Sequence, residues 1–403
     1  MSVLNILEEK LAETKKQGRF REFLNLERGV QDKPWATSHG HHGERRLNVW
    51  CSNDYLAMSH HPKVLLATTE AVNRVGLGTC GARSISGTSV YHSELETLLA
   101  SAYGKESALL FTTGFGANDA TLSTLCDAIP DLIVFSDELN HASMIYGIRY
   151  SKAEKKIFRH NDVVHLAELL QAADPARPKL IAFESLYSMD GDFAPLAQIV
   201  ALAEQYQALT YLDEIHSAGV YGERGLGYAE QLGLLDKITI IQGGFGKSYG
   251  AAGGYIAAPR SVVEAVRSWA PAFVFSTSSP APVVAAALAS FKYNLEHDTQ
   301  RKHLLAIVDH LKTGLRAAGI PLVSADSHIL PLRVGDPHRN KHISKVLLDE
   351  HDIYVQPVNA PTVPAGSERL RVTPTSAHSH ADVETFLAAL GRVWAANDLR
   401  RAG

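Results

Sequence analysis

A set of short apolar runs separated by longer, helix-patterned stretches constrains this chain more than any other feature. Ser107–Phe111, Leu132–Phe135, Lys179–Phe183, Ala208–Leu212 and Ile238–Ile241 are mostly apolar without a strict alternation. Runs of this kind bury both of their faces, so they predict strands of a mostly parallel sheet covered by helices on each side. In open sheets of that type, ligand sites form outside the carboxyl ends of the strands. Two runs deliver reactive side chains there. Ala208–Leu212 leads into Asp213-Glu214-Ile215-His216, and Ile238–Ile241 leads into the turn Gly243-Gly244-Phe245-Gly246-Lys247-Ser248-Tyr249-Gly250.

Two glycine-rich segments resemble nucleotide motifs in spelling only. Gly246-Lys247-Ser248 looks like the end of a phosphate-binding P-loop, but the Gly required five positions before Gly246 is Ile241. Gly76-Leu77-Gly78-Thr79-Cys80-Gly81 spells a dinucleotide fingerprint. That fingerprint must follow a buried strand and open a helix. Here His61–Val75 carries helical spacing, and Ser, Ile and Gly follow, so a glycine-rich loop is the expectation.

The chain has 403 residues, enough for a large core and two domains. Lys and Arg number 39 against 43 Asp and Glu, a balance that argues against a nucleic-acid or membrane-surface role. No apolar run approaches a membrane span of about 20 residues. The N-terminal stretch is acidic and amphipathic, unlike a signal or transit peptide. Cys51, Cys80 and Cys126 are scattered and odd in number, which predicts reduced thiols and a cytoplasmic setting. Ser38-His39-Gly40-His41-His42-Gly43 reads as a solvated loop, and no metal is expected.

Along the chain, the pattern predicts an N-terminal helix over Leu4–Lys16, then a loop through Pro34 and the histidines. A short strand follows at Asn48–Cys51 and a helix at His92–Tyr103. A long helix is expected to begin near Ser290–Glu296. Strands at Ile329–Val334 and Arg369–Val372 belong to a smaller α+β region. The expected division is 1–46 as an N-terminal helix and loop, 47–292 as the large domain and 293–403 as the small one.

An Asp, a His and a glycine-flanked Lys at strand ends suit pyridoxal phosphate. That cofactor needs a Lys for its Schiff base and an acid opposite its pyridine nitrogen. A buried carboxylate such as Asp213 is costly unless paired, and a pyridinium N–H is one partner; a structural helix cap is the other reading. His216 is placed to reach the ring oxygen. Phe111–Asn118 follows a strand and opens a helix, where small residues present N–H groups to a phosphate or simply make a strand–helix turn. His141, in Asn140-His141-Ala142-Ser143, can lie over a planar ring or serve structure alone.

With these residues in view, the chain resembles the α-oxoamine synthases, fold-type I pyridoxal phosphate enzymes, and within them the 5-aminolevulinate synthases. The resemblance covers about Gly18 to near the C-terminus. It rests on Val49–Leu56, Asn140–Ile145, Phe158–Asp162, Ser188–Gly191, Asp213–His216, Phe275–Ser278 and Pro361–Pro364. It implies an α/β fold with a large mostly parallel domain and a small C-terminal domain. Lys247 would carry the cofactor, Asp213 would face its ring nitrogen, His216 its ring oxygen, and His141 would stack on it. Gly114 and Phe115 would give amides to the phosphate, and Ser185 would lie beside the cofactor. Ser276 and Thr277 resemble the segment that reaches the phosphate from a second subunit, which implies a homodimer. Asn53 would lie near substrate, and Arg371 would bind the glycine carboxylate through its fixed fork. The implied reaction is a decarboxylating condensation of glycine with an acyl-CoA.

Arg21, Ala82, Ser84, Ile85 and Thr362 complete the substrate-binding residues that the resemblance implies. Arg21 keeps a carboxylate-binding position. Ala82 and Ser84 stand where 5-aminolevulinate synthases carry Thr and Asn, which help hold the free carboxylate of succinyl-CoA. A hydrogen bond to a charged group contributes about 1.5–3 kcal/mol, so a different acyl thioester or amino acid is the alternative to succinyl-CoA. Ala365 stands where the lid motif usually has Arg, and Gly244 replaces a Thr that reaches the phosphate. A non-catalytic relative that has lost the cofactor is the alternative of another class; Lys247, Asp213 and His216 together argue against it.

Overall fold

A computed structural model describes residues 2–40 and 43–397, so His41 and His42 of the histidine cluster lie outside the described residues. The chain divides into two compact units. One is Asp54–Ser188 with Phe193–Arg301; the other is Met1–Asn53, Met189–Asp192 and Lys302–Gly403. The N-terminal 53 residues therefore pack in the same unit as the C-terminal hundred, and the first division falls after Asn53 where 46 was expected.

The larger unit holds a seven-stranded sheet, in the order Ser107–Phe111, Gly254–Ala258, Ile240–Gly244, Leu209–Asp213, Lys179–Glu184, Ile133–Asp137, Glu154–Phe158. Gly254–Ala258 is antiparallel to both neighbours, and the remaining pairs are parallel. The apolar runs become strands because they feed two cores at once. Ala108 and Leu110 join one cluster with Phe183, Leu212 and Ile241, while Leu109 and Phe111 join another with Val134, Tyr211 and Ile256. Full burial of such side chains contributes roughly 1.5–3 kcal/mol each, which holds the inner strands against both cores, while the edge strand Glu154–Phe158 is mostly exposed.

Helix starts follow local chemistry. Thr113 caps Gly114–Ala128 by accepting the Gly116 N–H, and Asp162 caps Val163–Gln171 by accepting the His165 N–H. The helix expected to begin near Ser290 instead starts at Ala281 and ends at Glu296. Pro280 and Pro282 sit at its cap and first turn, where a missing N–H costs nothing. A second helix, Thr299–Ala317, follows. The 76–81 segment follows the helix Pro62–Val75 rather than a strand, and no helix opens directly from Lys247.

The smaller unit carries a four-stranded sheet (Leu26–Glu27, Trp35–Gly40, Gly43–Val49, Ile353–Tyr354) and a three-stranded antiparallel one (Leu330–Arg333, Arg369–Val372, Gln356–Val358). Its core gathers Trp50, Leu311, Leu370, Phe386 and Trp394. The segment expected as a histidine loop is a hairpin instead. Trp35–Gly40 pairs antiparallel with Gly43–Val49, with Ala36 and Ser38 turned inward. His39 is held by Glu27 at 3.0 Å and Glu44 at 3.4 Å. Among the described residues, no helix is long and apolar enough to cross a membrane.

Candidate active site

The carboxyl end of Leu209–Asp213 places Asp213 in the larger unit with only 2 % of its surface exposed. Its Oδ1 accepts the Ile215 N–H at 2.8 Å and its Oδ2 accepts the Asn118 amide at 2.7 Å. Asn118 is fixed in turn, because its Oδ1 accepts the Tyr211 hydroxyl at 2.7 Å. The same Asn118 amide nitrogen donates to Ser143 Oγ at 3.0 Å. Ser143 Oγ lies 2.7 Å from His141 Nδ1, which also accepts the Ser143 N–H at 3.2 Å. A ring nitrogen that accepts a backbone N–H carries no proton, so the neutral His141 bears its hydrogen on Nε2. Partial loss of hydration, then the Lys247 ammonium, lowers the His141 pKa below its ordinary value, and Asp213 opposes this.

Lys247 sits in the turn after Ile240–Gly244, a turn closed by Gly250 N–H on the Lys247 carbonyl at 2.9 Å. Its Nζ lies 2.6 Å from His216 Nε2, and His216 Nδ1 lies 2.9 Å from the Tyr55 hydroxyl. Both nitrogens of His216 are thus engaged by the lysine and a buried tyrosine.

Glu184 ends Lys179–Glu184 and stands in register with Asp213. It is buried, and its Oε1 accepts the His141 N–H at 2.6 Å. Burial, then the neighbouring Asp213, drives its pKa well above the usual carboxylate value. Ser185 is fully buried, with its hydroxyl 2.7 Å from Ser217 Oγ and donating to the Asp213 carbonyl at 3.3 Å. It braces the Asp213 backbone.

At the start of Gly114–Ala128, the Thr113 hydroxyl takes the Gly116 N–H at 2.9 Å and the Thr113 carbonyl takes that of Ala117 at 3.1 Å. Capping of that kind leaves the Gly114 and Phe115 amides for an anion. The Phe115 ring stands edge-on to His141, 6.3 Å between centroids.

These residues fit pyridoxal phosphate by the chemistry of the donor set. A buried carboxylate held by neutral amides suits a protonated ring nitrogen. Open helix amides suit a phosphate, and a lysine amine at the mouth of a strand suits the aldehyde.

Ala82, Ser84 and Ile85 share the larger unit with Ser276 and Thr277. Ala82 bridges Thr277, and the Ser278 N–H donates to the Gly81 carbonyl at 2.9 Å. His92 ties the two segments together, with Nδ1 2.8 Å from Ser89 Oγ and Nε2 2.9 Å from Ser278 Oγ. Burial pushes its pKa down to about 4. Arg83 forks onto Glu96 at 2.8 and 3.0 Å, which leaves Ser84 and Ile85 exposed on the turn that follows.

The remaining residues lie in the smaller unit. Arg371 is buried in Arg369–Val372, and its Nη1 donates to Asn53 Oδ1 at 3.0 Å. Exposed Arg21 donates from Nη2 to Thr362 Oγ1 at 3.0 Å. Two residues expected to bind substrate therefore meet, 341 positions apart in sequence.

A sequence profile of the class I and II aminotransferases matches residues 46–390. The chain belongs to that family. It is 48% identical over 395 residues to the 5-aminolevulinate synthase of Rhodobacter capsulatus, covering 96% of this chain and 95% of that one. The Paracoccus denitrificans 5-aminolevulinate synthase is 48% identical over 401 residues, covering 98% of each. Among solved structures, a high-resolution structure of SPT with PLP internal aldimine superposes with a TM-score of 0.93 at 31% identity, covering 99% of this chain and all of that one. The Sphingomonas wittichii serine palmitoyltransferase gives 0.91 at 31%, covering 99% of each. The fold is that of a fold-type I transferase.

Asn118, Ser143, Tyr211, Glu184 and Tyr55 join the site without having stood out as working residues in the sequence. A signal was present in Glu184 at the end of an apolar run, but Asn118 is one of several polar residues in its helix.

Proposed function

We propose that this enzyme uses pyridoxal phosphate to condense glycine with succinyl-CoA, releasing 5-aminolevulinate, CoA and carbon dioxide. The observation that carries the reading is the Lys247–His216 contact beside the Asn118-held Asp213, in a chain 48% identical over nearly its whole length to 5-aminolevulinate synthases. When bound, the cofactor supplies an electron sink that acidifies the Cα–H of glycine and later accepts the electrons left by decarboxylation.

The chain's own residues do the rest. Asp213 would hold a proton on the ring nitrogen, and Asn118 and the Ile215 amide hold Asp213. The Gly114 and Phe115 amides would hold the phosphate. His141, fixed by Ser143 and Glu184, would bear on the ring. Lys247 Nζ takes the Cα proton of glycine, with His216 and Tyr55 setting where that amine rests. Arg371 takes the glycine carboxylate, and Arg21 with Thr362 takes the distal carboxylate of the acyl chain. A positioned general base contributes about 10²–10⁴-fold, the share assigned to Lys247. The assembly is a homodimer in which Ser276 and Thr277 serve the neighbouring subunit's site.

The test is turnover by the purified holoenzyme with glycine and a panel of CoA thioesters. Aminoketone and free CoA should form fastest with succinyl-CoA. Turnover with another thioester and none with succinyl-CoA would overturn the assignment.

A further inference from the structure

Position 244 is open on its own account. Gly244 belongs to Ile240–Gly244 and is absent from the residues with positive φ, so its backbone does not demand glycine. What excludes a side chain is Ile215. A Cβ at 244 would stand 2.7 Å from Ile215 Cδ1 and 2.9 Å from its Cγ1, and a Cβ at Gly114 would stand 2.6 Å from the same Cδ1. Ile215 is therefore wedged between the strand end and the first residue of the helix Gly114–Ala128. The strand partner of Gly244 is Gly254, where a Cβ would lie 2.6 Å from Gly114 Cα and from the Thr113 carbonyl. Helix start and strand pair touch backbone to backbone, which leaves Ile215 little room to move away. A β-branched side chain is also stiff at χ1, and the Ile215 N–H is tied to Asp213 Oδ1 at 2.8 Å.

Resting on the reading of this site as a pyridoxal phosphate site, we infer that Ile215 and Gly244 form one steric unit bounding the phosphate end of the pocket. Ile215 fills the volume that a threonine at 244 would need. The phosphate is held by helix amides with an apolar neighbour and receives no hydroxyl from position 244. Because Ile215 also carries an amide to Asp213, displacing it disturbs the ring-nitrogen end of the site as well.

The test compares wild type with Gly244→Thr, Ile215→Ala and the double variant, each as the full chain. Two readouts are taken: melting temperature after the cofactor has been stripped, and the rate of cofactor loss from reconstituted protein on dilution. Ile215→Ala removes both atoms that crowd the missing Cβ, Cγ1 and Cδ1. Gly244→Thr should melt lower than wild type and release cofactor faster. The double variant should melt at the level of Ile215→Ala alone, and should release cofactor about tenfold more slowly than wild type, as one hydrogen bond to a charged group predicts. Independent effects on melting, or a Gly244→Thr protein that melts like wild type, would overturn the steric pairing. A double variant that releases cofactor no more slowly than wild type would overturn the assignment of position 244 to the phosphate. If wild type fails to take up cofactor at all, the functional reading fails, and the stripped-protein melting still decides the pairing.

Discussion

Lys247 Nζ and His216 Nε2 lie 2.6 Å apart, close enough that one proton is shared between them and both nitrogens cannot carry one along the same line. Tyr55, 2.9 Å from the far nitrogen of the same ring, sets which tautomer His216 presents. The lysine is thus held at a defined place before any ligand arrives, and its loss differs from the loss of its support. Lys247→Ala should lower turnover on the order of 10²-fold or more while leaving the melting temperature of the stripped protein within a few degrees. Borohydride reduction of wild type with bound cofactor should add the cofactor's mass less one oxygen to the peptide bearing Lys247. A label on another lysine would reject the assignment. Tyr55→Phe should keep that label and lose about fivefold in turnover, the effect of one hydrogen bond worth about 1 kcal/mol.

Asn118 offers a test of what holds Asp213. Its amide donates to the carboxylate and its carbonyl takes the Tyr211 hydroxyl, all of it buried. Asn118→Ala strands a buried acceptor and a buried donor, each costing about 1–3 kcal/mol. A urea midpoint lower by the equivalent of several kcal/mol, with faster cofactor loss, is the expected result. A midpoint equal to wild type would show that water replaces the amide.

Much of this frame was written in the sequence, and the misses share a physical cause. The apolar runs at 107–111, 179–183 and 208–212 announce strands because each must satisfy two cores. Lys247, Asp213 and His216 stand out because charge at the end of such a run demands a partner. Local periodicity carries no such signal for Tyr55, whose partner His216 is 161 residues away. Nor does it reveal the hairpin 35–49, where Arg45, Arg46 and the histidines mask the alternation of Ala36 and Ser38 that buries one face. Asn48 and Val49 pair in parallel with the late strand Ile353–Tyr354, a long-range choice that no single stretch encodes.

Glu184 makes the pH dependence of folding testable. Its carboxyl is buried beside Asp213, so its pKa in the folded chain is raised above the ordinary 4.5. A raised carboxyl pKa means the fold prefers the protonated form. Its contribution is fully present below the ordinary value and is lost as pH rises through the folded value. Glu184→Gln keeps the shape and the acceptor for the His141 N–H without the charge. The variant's stability relative to wild type should therefore climb as pH rises from about 4.5, read from urea midpoints of the stripped proteins. A difference that stays flat across that range would show that Glu184 is not held protonated.

Position 82 and position 84 flank Arg83, whose guanidinium is locked on Glu96. The turn backbone is therefore fixed, and side chains added there should take up their places without refolding it. Under the proposed function, Ala82→Thr with Ser84→Asn places a hydroxyl and an amide toward the distal carboxylate of succinyl-CoA. At about 1.5–3 kcal/mol per bond to a charged group, the KM for succinyl-CoA should fall by about tenfold or more while kcat changes little. Thioesters lacking a terminal carboxylate should gain nothing. An equal gain with both kinds of thioester would place these residues away from the acyl chain.

Under the proposed function, Arg371 and Arg21 serve different carboxylates of the reaction. Its guanidinium is buried and braced by Asn53 Oδ1 at 3.0 Å, a preorganised fork that suits a small planar anion. Arg21, exposed and bonded to Thr362, suits a longer substrate that arrives from solvent. Arg371→Ala should raise the KM for glycine at least tenfold, with a much smaller change for succinyl-CoA, since a charged hydrogen bond of about 1.5–3 kcal/mol is lost on one substrate only. Asn53→Ala should shift the glycine KM in the same direction by a smaller factor, because it loosens the fork without removing it. Arg21→Ala should show the opposite split, raising the KM for succinyl-CoA and sparing glycine. Steady-state kinetics with each substrate varied at saturating levels of the other decides it. Equal rises for both substrates in Arg371→Ala would remove that residue from the glycine carboxylate.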